Sequence, residues 1–253
     1  MRDLTYPPII ATCKLSFRLL GQKIEMAGTE HVPRSGGVMV AVNHIGYADF
    51  VYGGLAVNPS GRKMRFMSKR ELFDHRWTGP LMRSLHHIEV DRGAGEASYR
   101  TAVSYLKAGE CVGIFPEATI SRAMELKEFK KGAVRIAAEA GVPLLPVIVW
   151  GTQRLMTKDQ PKDFKTRGLP ILIRVGEPLH PTGADPVAET GDLHGAMTGL
   201  LDQAIADYPE RPEGAWWLPR RHGGGAPTLA EAVELDAAER AERIARRRAR
   251  EGS

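Results

Sequence analysis

Short apolar runs of strand length alternate along this chain with longer stretches of helical periodicity, and few fold classes accept that pattern. Residues 38–42, 65–67, 88–90, 111–115, 144–150 and 171–175 read as strands. Residues 49–57, 97–107 and 129–140, lying between them, read as helices. The alternation predicts an α/β fold with a mostly parallel central sheet flanked by helices. The run 144–150 (Leu-Leu-Pro-Val-Ile-Val-Trp) is apolar throughout, as a strand covered on both faces should be.

The two ends have a different texture. Ile9, Ile10, Cys13, Phe17 and Leu20 form a helical stripe, with Lys14 and Arg18 on the other face. Such a stripe suits a helix packed on a core or one lying in a membrane interface. Residues 192–208 read as a further helix, 209–227 as a linker rich in Pro, Gly and Arg, and 228–253 as a solvated Ala/Glu/Arg helix. The expected organisation is an amphipathic segment over 1–24, a domain over 25–210, and a linker with a charged helical tail over 211–253. No internal repeat is visible.

Composition narrows the class. With 43% hydrophobic and 26% charged residues the chain can bury an ordinary core. Two cysteines, Cys13 and Cys111, are too few for a disulfide scaffold, and both read as packing residues in a reducing compartment. The longest stretches free of charged residues, 35–48 and 140–153, are 14 residues each. A membrane-spanning helix needs roughly 20. With no signal peptide legible at the start, the expectation is a protein of the cytoplasm.

Lys and Arg number 35 against 30 Asp and Glu, a net +5 that favours anionic partners. Arg62, Lys63, Arg65, Lys69, Arg70 and Arg76 gather within 62–76 against only Glu71 and Asp74, as a solvated face or a docking surface for anionic lipid. Nucleic acid is a poor candidate partner. No recognition motif appears, aromatics are only 7%, and the arginines near the end are interleaved with glutamates. Trp216-Trp217, ahead of Arg220-Arg221, is either an interfacial anchor or a cover for the core. His86-His87 suggests a metal, but neighbours on a strand point to opposite faces, so no metal is assigned and His87 reads as structural.

Two clusters carry chemistry. Asn43-His44-Ile45-Gly46-Tyr47-Ala48-Asp49 follows the first predicted strand. On one regular helix, residues five apart diverge by about 140°, so His44 and Asp49 meet only if a turn intervenes, and Gly46 offers one. Asp49 would then open a helix, where a carboxylate is favoured. The second cluster, Phe115-Pro116-Glu117-Ala118-Thr119-Ile120-Ser121-Arg122, also lies just past a strand's C-terminal end. Ligand sites of parallel sheets form at those ends, so the two clusters can converge.

At this point the chain resembles the glycerolipid acyltransferase superfamily, and within it the bacterial 1-acylglycerol-3-phosphate acyltransferases. His44 through Asp49 matches the family's His-x4-Asp block, and Lys69-Arg70-Glu71-Leu72 its Lys-x-Glu-Leu segment. Ile88-Glu89-Val90-Asp91-Arg92 corresponds to the block ending Asp-Arg. Residues 115–121 correspond to Phe-Pro-Glu-Gly-Thr-Arg-Ser, and 142–147 to the apolar run around Pro. Order and spacing agree from about residue 28 to 178. One block departs from the pattern: Ala118 stands for the usual Gly, and Ile120 for the Arg generally assigned to the acceptor's phosphate.

The resemblance implies transfer of a fatty acyl group from an acyl-CoA or acyl-carrier-protein thioester to the free hydroxyl of 1-acylglycerol-3-phosphate, giving phosphatidic acid, with no cofactor. His44 would be the general base, its reference pKa near 6.5 suiting the task, and Asp49 would orient it. Glu117, Thr119 and Ser121 resemble acceptor-site residues. Arg122, Arg92 and Lys69 are the candidates to replace the missing phosphate-binding arginine, arginine having the advantage of bidentate contact. Since the product is a lipid and nothing spans the bilayer, the family reading implies peripheral attachment to the cytoplasmic side of an anionic membrane. A different acceptor, or a non-catalytic membrane-binding protein of the same fold, are the alternatives.

Overall fold

Side chains alternate across a strand, and that alternation splits the core of this protein into two halves. In β2 (Val38–Val42), Val38, Val40 and Val42 join one apolar cluster while Met39 and Ala41 join the other. β6 (Leu144–Trp150) behaves likewise: Leu145, Val147 and Val149 face one side, Leu144, Ile148 and Trp150 the other. All seven of its residues are buried, as its continuous hydrophobicity demanded.

The computed structural model describes residues 3–91 and 95–251. The remaining strands are β1 (Lys23–Ala27), β3 (Met64–Lys69), β4 (Ile88–Val90), β5 (Cys111–Ile114) and β7 (Pro170–Val175). They form one sheet in the order β1-β7-β6-β2-β5-β3-β4. β6, β2, β5, β3 and β4 run parallel, β7 turns back antiparallel beside β6, and β1 follows β7 at the edge. Helices α5 (Gly95–Lys107), α6 (Gly132–Ala140) and α7 (Pro186–Asp207) cover one face. α2 (Asp49–Ala56) and the stripe of α1 (Tyr6–Leu19) cover the other, where Phe17 stacks on Tyr52 at 5.0 Å. α3 (Arg70–Asp74), α4 (Thr78–Ser84) and α8 (Leu229–Glu251) complete the fold. The expected α/β sheet is therefore the one observed.

Several local expectations change. The predicted helix over 129–140 begins only at Gly132, and the segment before it is tied to the Glu117 turn: Lys127 N donates to Glu117 and Lys130 N to the Pro116 carbonyl. The stretch 209–227 is no free linker. Trp217, Leu218 and Ala226 are buried, Gln153 donates to the Trp217 carbonyl, and Trp217 packs edge-on against Trp150 and Tyr208. Trp217 thus covers the core.

Half of the basic run is spent inside the molecule, while Lys69, Arg70 and Arg76 are exposed. Arg62 donates to the carbonyls of Pro33, Gly36 and Gly109, while Arg65 is buried against Asp3 and Glu110. Lys63 pairs with Asp3, and Arg70 with Asp91. Cys111 is buried, which pushes its thiol up to about 12, in keeping with a packing role. No helix among the described residues is long and apolar enough to cross a membrane.

His86 and His87 do not share a strand. His86 takes a left-handed φ of 54° after α4, and His87 turns inward, where its Nδ1 accepts the Phe66 amide at 2.9 Å. Burial, with Arg65 nearby, lowers the His87 pKa to about 4. The unfolded chain therefore binds this proton more tightly, and stability is lost as pH falls from 6.5 through about 4. His87→Asn, which keeps an acceptor at the Nδ1 position and cannot titrate, should lose on the order of 2 kcal/mol less stability between neutral and acid pH. Urea unfolding at the two pH values checks this, and equal losses in both proteins would refute it.

Candidate active site

Five parallel strands deliver their C-terminal ends to one edge of the sheet, which collects the loops that carry the polar residues. β2 leads into Asn43-His44, β5 into Phe115-Pro116-Glu117, and β6 into Gly151-Thr152. Asn43 locks the first of these loops in place: its amide nitrogen donates to Val149 O at 3.0 Å and its oxygen accepts Val149 N at 2.7 Å.

His44 and Asp49 meet, and their approach is made by the loop. Asp49 is the first residue of α2, completely buried, and its side chain folds back over residues 44–46. Oδ2 accepts from His44 Nδ1 at 3.0 Å, Ile45 N at 2.7 Å and Gly46 N at 2.7 Å, and the Thr152 hydroxyl donates to Oδ1. Surrounded by donors, the carboxylate can only accept, so Nδ1 carries the hydrogen and Nε2 is the nitrogen free to take a proton. The imidazole stacks on Phe115, with centroids 4.1 Å apart, and its side chain is 20% exposed. Gly46 is favoured by proximity: a Cβ there would stand 3.1 Å from the carbonyl oxygens of both Thr152 and Met156, a tight contact.

Glu117 is buried beneath this loop. Its Oε1 accepts His44 N at 2.8 Å and its Oε2 accepts Lys127 N at 3.1 Å. Both oxygens thus accept backbone amides, so Glu117 holds the His44 loop from below. Burial raises its pKa to about 8, against the two amide hydrogen bonds and the Lys127 charge that pull it down. Ala118 adopts φ 62°, a left-handed conformation that disfavours a side chain, in the position where the family pattern has glycine.

The other predicted residues separate. Ser121 is fully buried: its amide donates to the His44 carbonyl at 2.7 Å, and its Oγ has no hydrogen-bond partner among the described residues. Thr119 accepts from Lys127 Nζ. Ile120 is buried. Arg122 is buried and ion-paired with Asp159, Asp236 and Glu239. Lys69 is exposed at the end of β3. Arg92 lies outside the described residues.

The acyltransferase family profile matches residues 23–150, spanning both clusters. The 1-acyl-sn-glycerol-3-phosphate acyltransferase of Bacillus subtilis is 33% identical over 189 residues, covering 74% of this chain and 89% of its own. That of Borreliella burgdorferi is 27% identical over 178 residues, covering 68% of each chain. The chain belongs to the acyltransferase family. In fold it is similar to the 1-acyl-sn-glycerophosphate acyltransferase PlsC of Thermotoga maritima, with a TM-score of 0.65, 24% identity, and 80% of each chain covered.

Three residues packed around the His44 and Glu117 loops were not singled out from the sequence. Thr152, which completes the ring of donors around Asp49, follows β6 directly, so the rule that sites form past strand ends could have found it. Lys127, which donates to the Ile120 carbonyl, and Lys158, which pairs with Asp236 and Glu239, sit in loops with no periodic or motif signal.

Two expected outcomes follow from the Glu117 turn. The folded protein holds the Glu117 proton more tightly than the unfolded chain, so this stabilisation is complete below pH 4.5 and is lost as pH rises through about 8. Glu117→Gln should flatten the decline in Tm between about pH 5 and 8; a decline as steep as in the unaltered protein would show that this proton is not linked to folding. Ala118→Gly should raise unfolding free energy by roughly 1 kcal/mol by relieving the left-handed strain. A denaturant midpoint lower than that of the unaltered chain would remove that explanation.

Proposed function

We propose that this acyltransferase moves a fatty acyl group from an acyl-CoA or acyl-carrier-protein thioester to the free hydroxyl of 1-acylglycerol-3-phosphate, giving phosphatidic acid for phospholipid synthesis. The observation that carries the reading is the His44–Asp49 contact at 3.0 Å, which commits Nδ1 and leaves Nε2 as a base.

An alcohol is a weak nucleophile at neutral pH, so its proton must leave as the new bond forms. His44 Nε2 takes that proton while the hydroxyl oxygen attacks the thioester carbonyl carbon. Asp49 stabilises the imidazolium that forms and keeps the ring from rotating, as the carboxylate of a Ser-His-Asp triad does. The tetrahedral intermediate then collapses, the C–S bond breaks, and the thiolate recovers the proton from His44. The thioester arrives already activated, so the chain needs neither a covalent intermediate nor a cofactor. Glu117 and Thr152 act through others: one fixes the His44 backbone, the other the Asp49 carboxylate.

The names of the relatives support the acceptor, which is a phosphate monoester of an acylglycerol. Such a substrate resides in a bilayer, so the protein works as a peripheral enzyme at the cytoplasmic face of an anionic membrane. The buried Ile120, standing where the family pattern has arginine, favours as a second reading an acceptor other than lysophosphatidic acid, such as glycerol 3-phosphate or a different lysophospholipid.

Thiol release from oleoyl-CoA in the presence of lysophosphatidic acid tests the proposal. His44→Ala should lower turnover by about 10²- to 10⁴-fold while leaving the protein folded. Undiminished turnover in that variant would exclude His44 as the base. Turnover with glycerol 3-phosphate alone would favour the second reading.

A further inference from the structure

Arg122, Lys127 and Lys158 converge beside the His44 loop, and the charges that meet them come largely from the far end of the chain. Arg122 is paired with Asp159, Asp236 and Glu239. Lys158 Nζ lies 3.0 Å from Asp236 Oδ1 and 2.8 Å from Glu239 Oε2. Lys127 Nζ lies 3.3 Å from Asp236 Oδ2 and also holds Thr119 Oγ1 and the Ile120 carbonyl. Two helical neighbours on α8, Asp236 and Glu239, therefore present two negative charges to three cations.

The cluster is coupled to His44 through short backbone links. Arg122 follows Ser121, whose amide donates to the His44 carbonyl at 2.7 Å. Lys158 follows Thr157, whose hydroxyl donates to the Ile45 carbonyl at 2.6 Å. Lys127 N shares the Glu117 carboxylate with His44 N. A cavity of about 530 Å³ opens between Tyr47, Arg122, Lys158 and Lys162, and Glu239 of α8 forms part of its wall. That volume lies in the range of small-ligand sites.

α8 is held here by charge more than by apolar burial. Ala232 is its buried side chain among those described, while Leu229, Val233, Leu235 and Ile244 are exposed. A helix attached in this way can be displaced by a competing anion at modest cost.

We propose that Lys127, Lys158 and Arg122 form the binding site for the phosphate of the acceptor, and that Asp236 and Glu239 occupy it until the acceptor arrives. This rests on the reading of the acceptor as a phosphate monoester. A phosphate monoester carries −1.5 to −2 at neutral pH, about the charge of the two carboxylates it displaces, so the cations remain neutralised through the exchange. Lys127, which holds Thr119 and the Ile120 carbonyl, supplies the positive charge that Ile120 lacks. Asp159 stays as the resident partner of Arg122.

Hydrogen exchange of the full-length protein reads the displacement without requiring turnover. Lysophosphatidic acid and glycerol 3-phosphate should each speed exchange of the amides around Asp236 and Glu239, and monoacylglycerol, which lacks the phosphate, should not. The same response to inorganic phosphate would show that the free anion suffices and would support the site. No response to any phosphate compound, or an equal response to monoacylglycerol, would overturn the proposal, even if the enzyme acylates lysophosphatidic acid.

In kinetics, D236N/E239Q should lower the acceptor KM about fivefold, the size of an ordinary coupling between two sites, with the donor KM unchanged. K127Q/K158Q should raise the acceptor KM. Absence of turnover in the unaltered protein would fault the proposed function, whereas normal turnover with KM values insensitive to both double variants would fault the phosphate site alone.

Discussion

Everything at the working edge of this protein depends on one buried carboxylate. Asp49 opens α2, accepts the amides of Ile45 and Gly46, holds His44 Nδ1 and receives the Thr152 hydroxyl. A fully buried charge is costly unless its lone pairs are filled, and here four donors from two loops fill them at the positive end of a helix. The arrangement constrains both parties: the carboxylate stays in place because the loops wrap it, and the loops have one conformation because the carboxylate is there. Moving His44 would expose a buried charge, and that cost gives the imidazole a single orientation.

Glu117 repeats the device from the neighbouring strand. Its two oxygens tie the amides of His44 and Lys127, so the loop after β2 and the loop after β5 move as one piece. Phe115 adds a stacking surface beneath the imidazole, itself stacked on Phe66 of β3 at 5.5 Å. Polar residues at strand ends thus inherit the rigidity of the sheet. Catalytic groups gain from such a mounting, since proton transfer tolerates little error in position.

The positive charge of the chain is distributed by the fold and not by the order of residues. Arg62, Lys63, Arg65 and Arg70, which lie together in sequence, are divided among carbonyl cages and ion pairs with Asp3, Glu110 and Asp91. Arg122, Lys127 and Lys158, which are scattered in sequence, are brought together around Asp236 and Glu239. A count of charge along the chain therefore overstates the first group as a surface and overlooks the second as a cluster.

The sequence by itself determined the layered α/β class, the strands from β2 to β7 nearly to the residue except β3, of which it found only the middle, the meeting of His44 with Asp49, and the convergence of two clusters at one sheet edge. Those features depend on local signals: periodicity, strand ends, a turn and a family pattern within short windows. The edge strand β1, with its largely exposed residues, carried too little apolar signal to be seen. What Glu117 does, that Thr152 completes the ring around Asp49, that residues 217–226 seal the core, and that α8 reaches back across the cation cluster were decided by tertiary structure alone. Each depends on pairs far apart in the chain, such as Arg122 with Asp236, and no local propensity encodes which distant carboxylate will meet which cation.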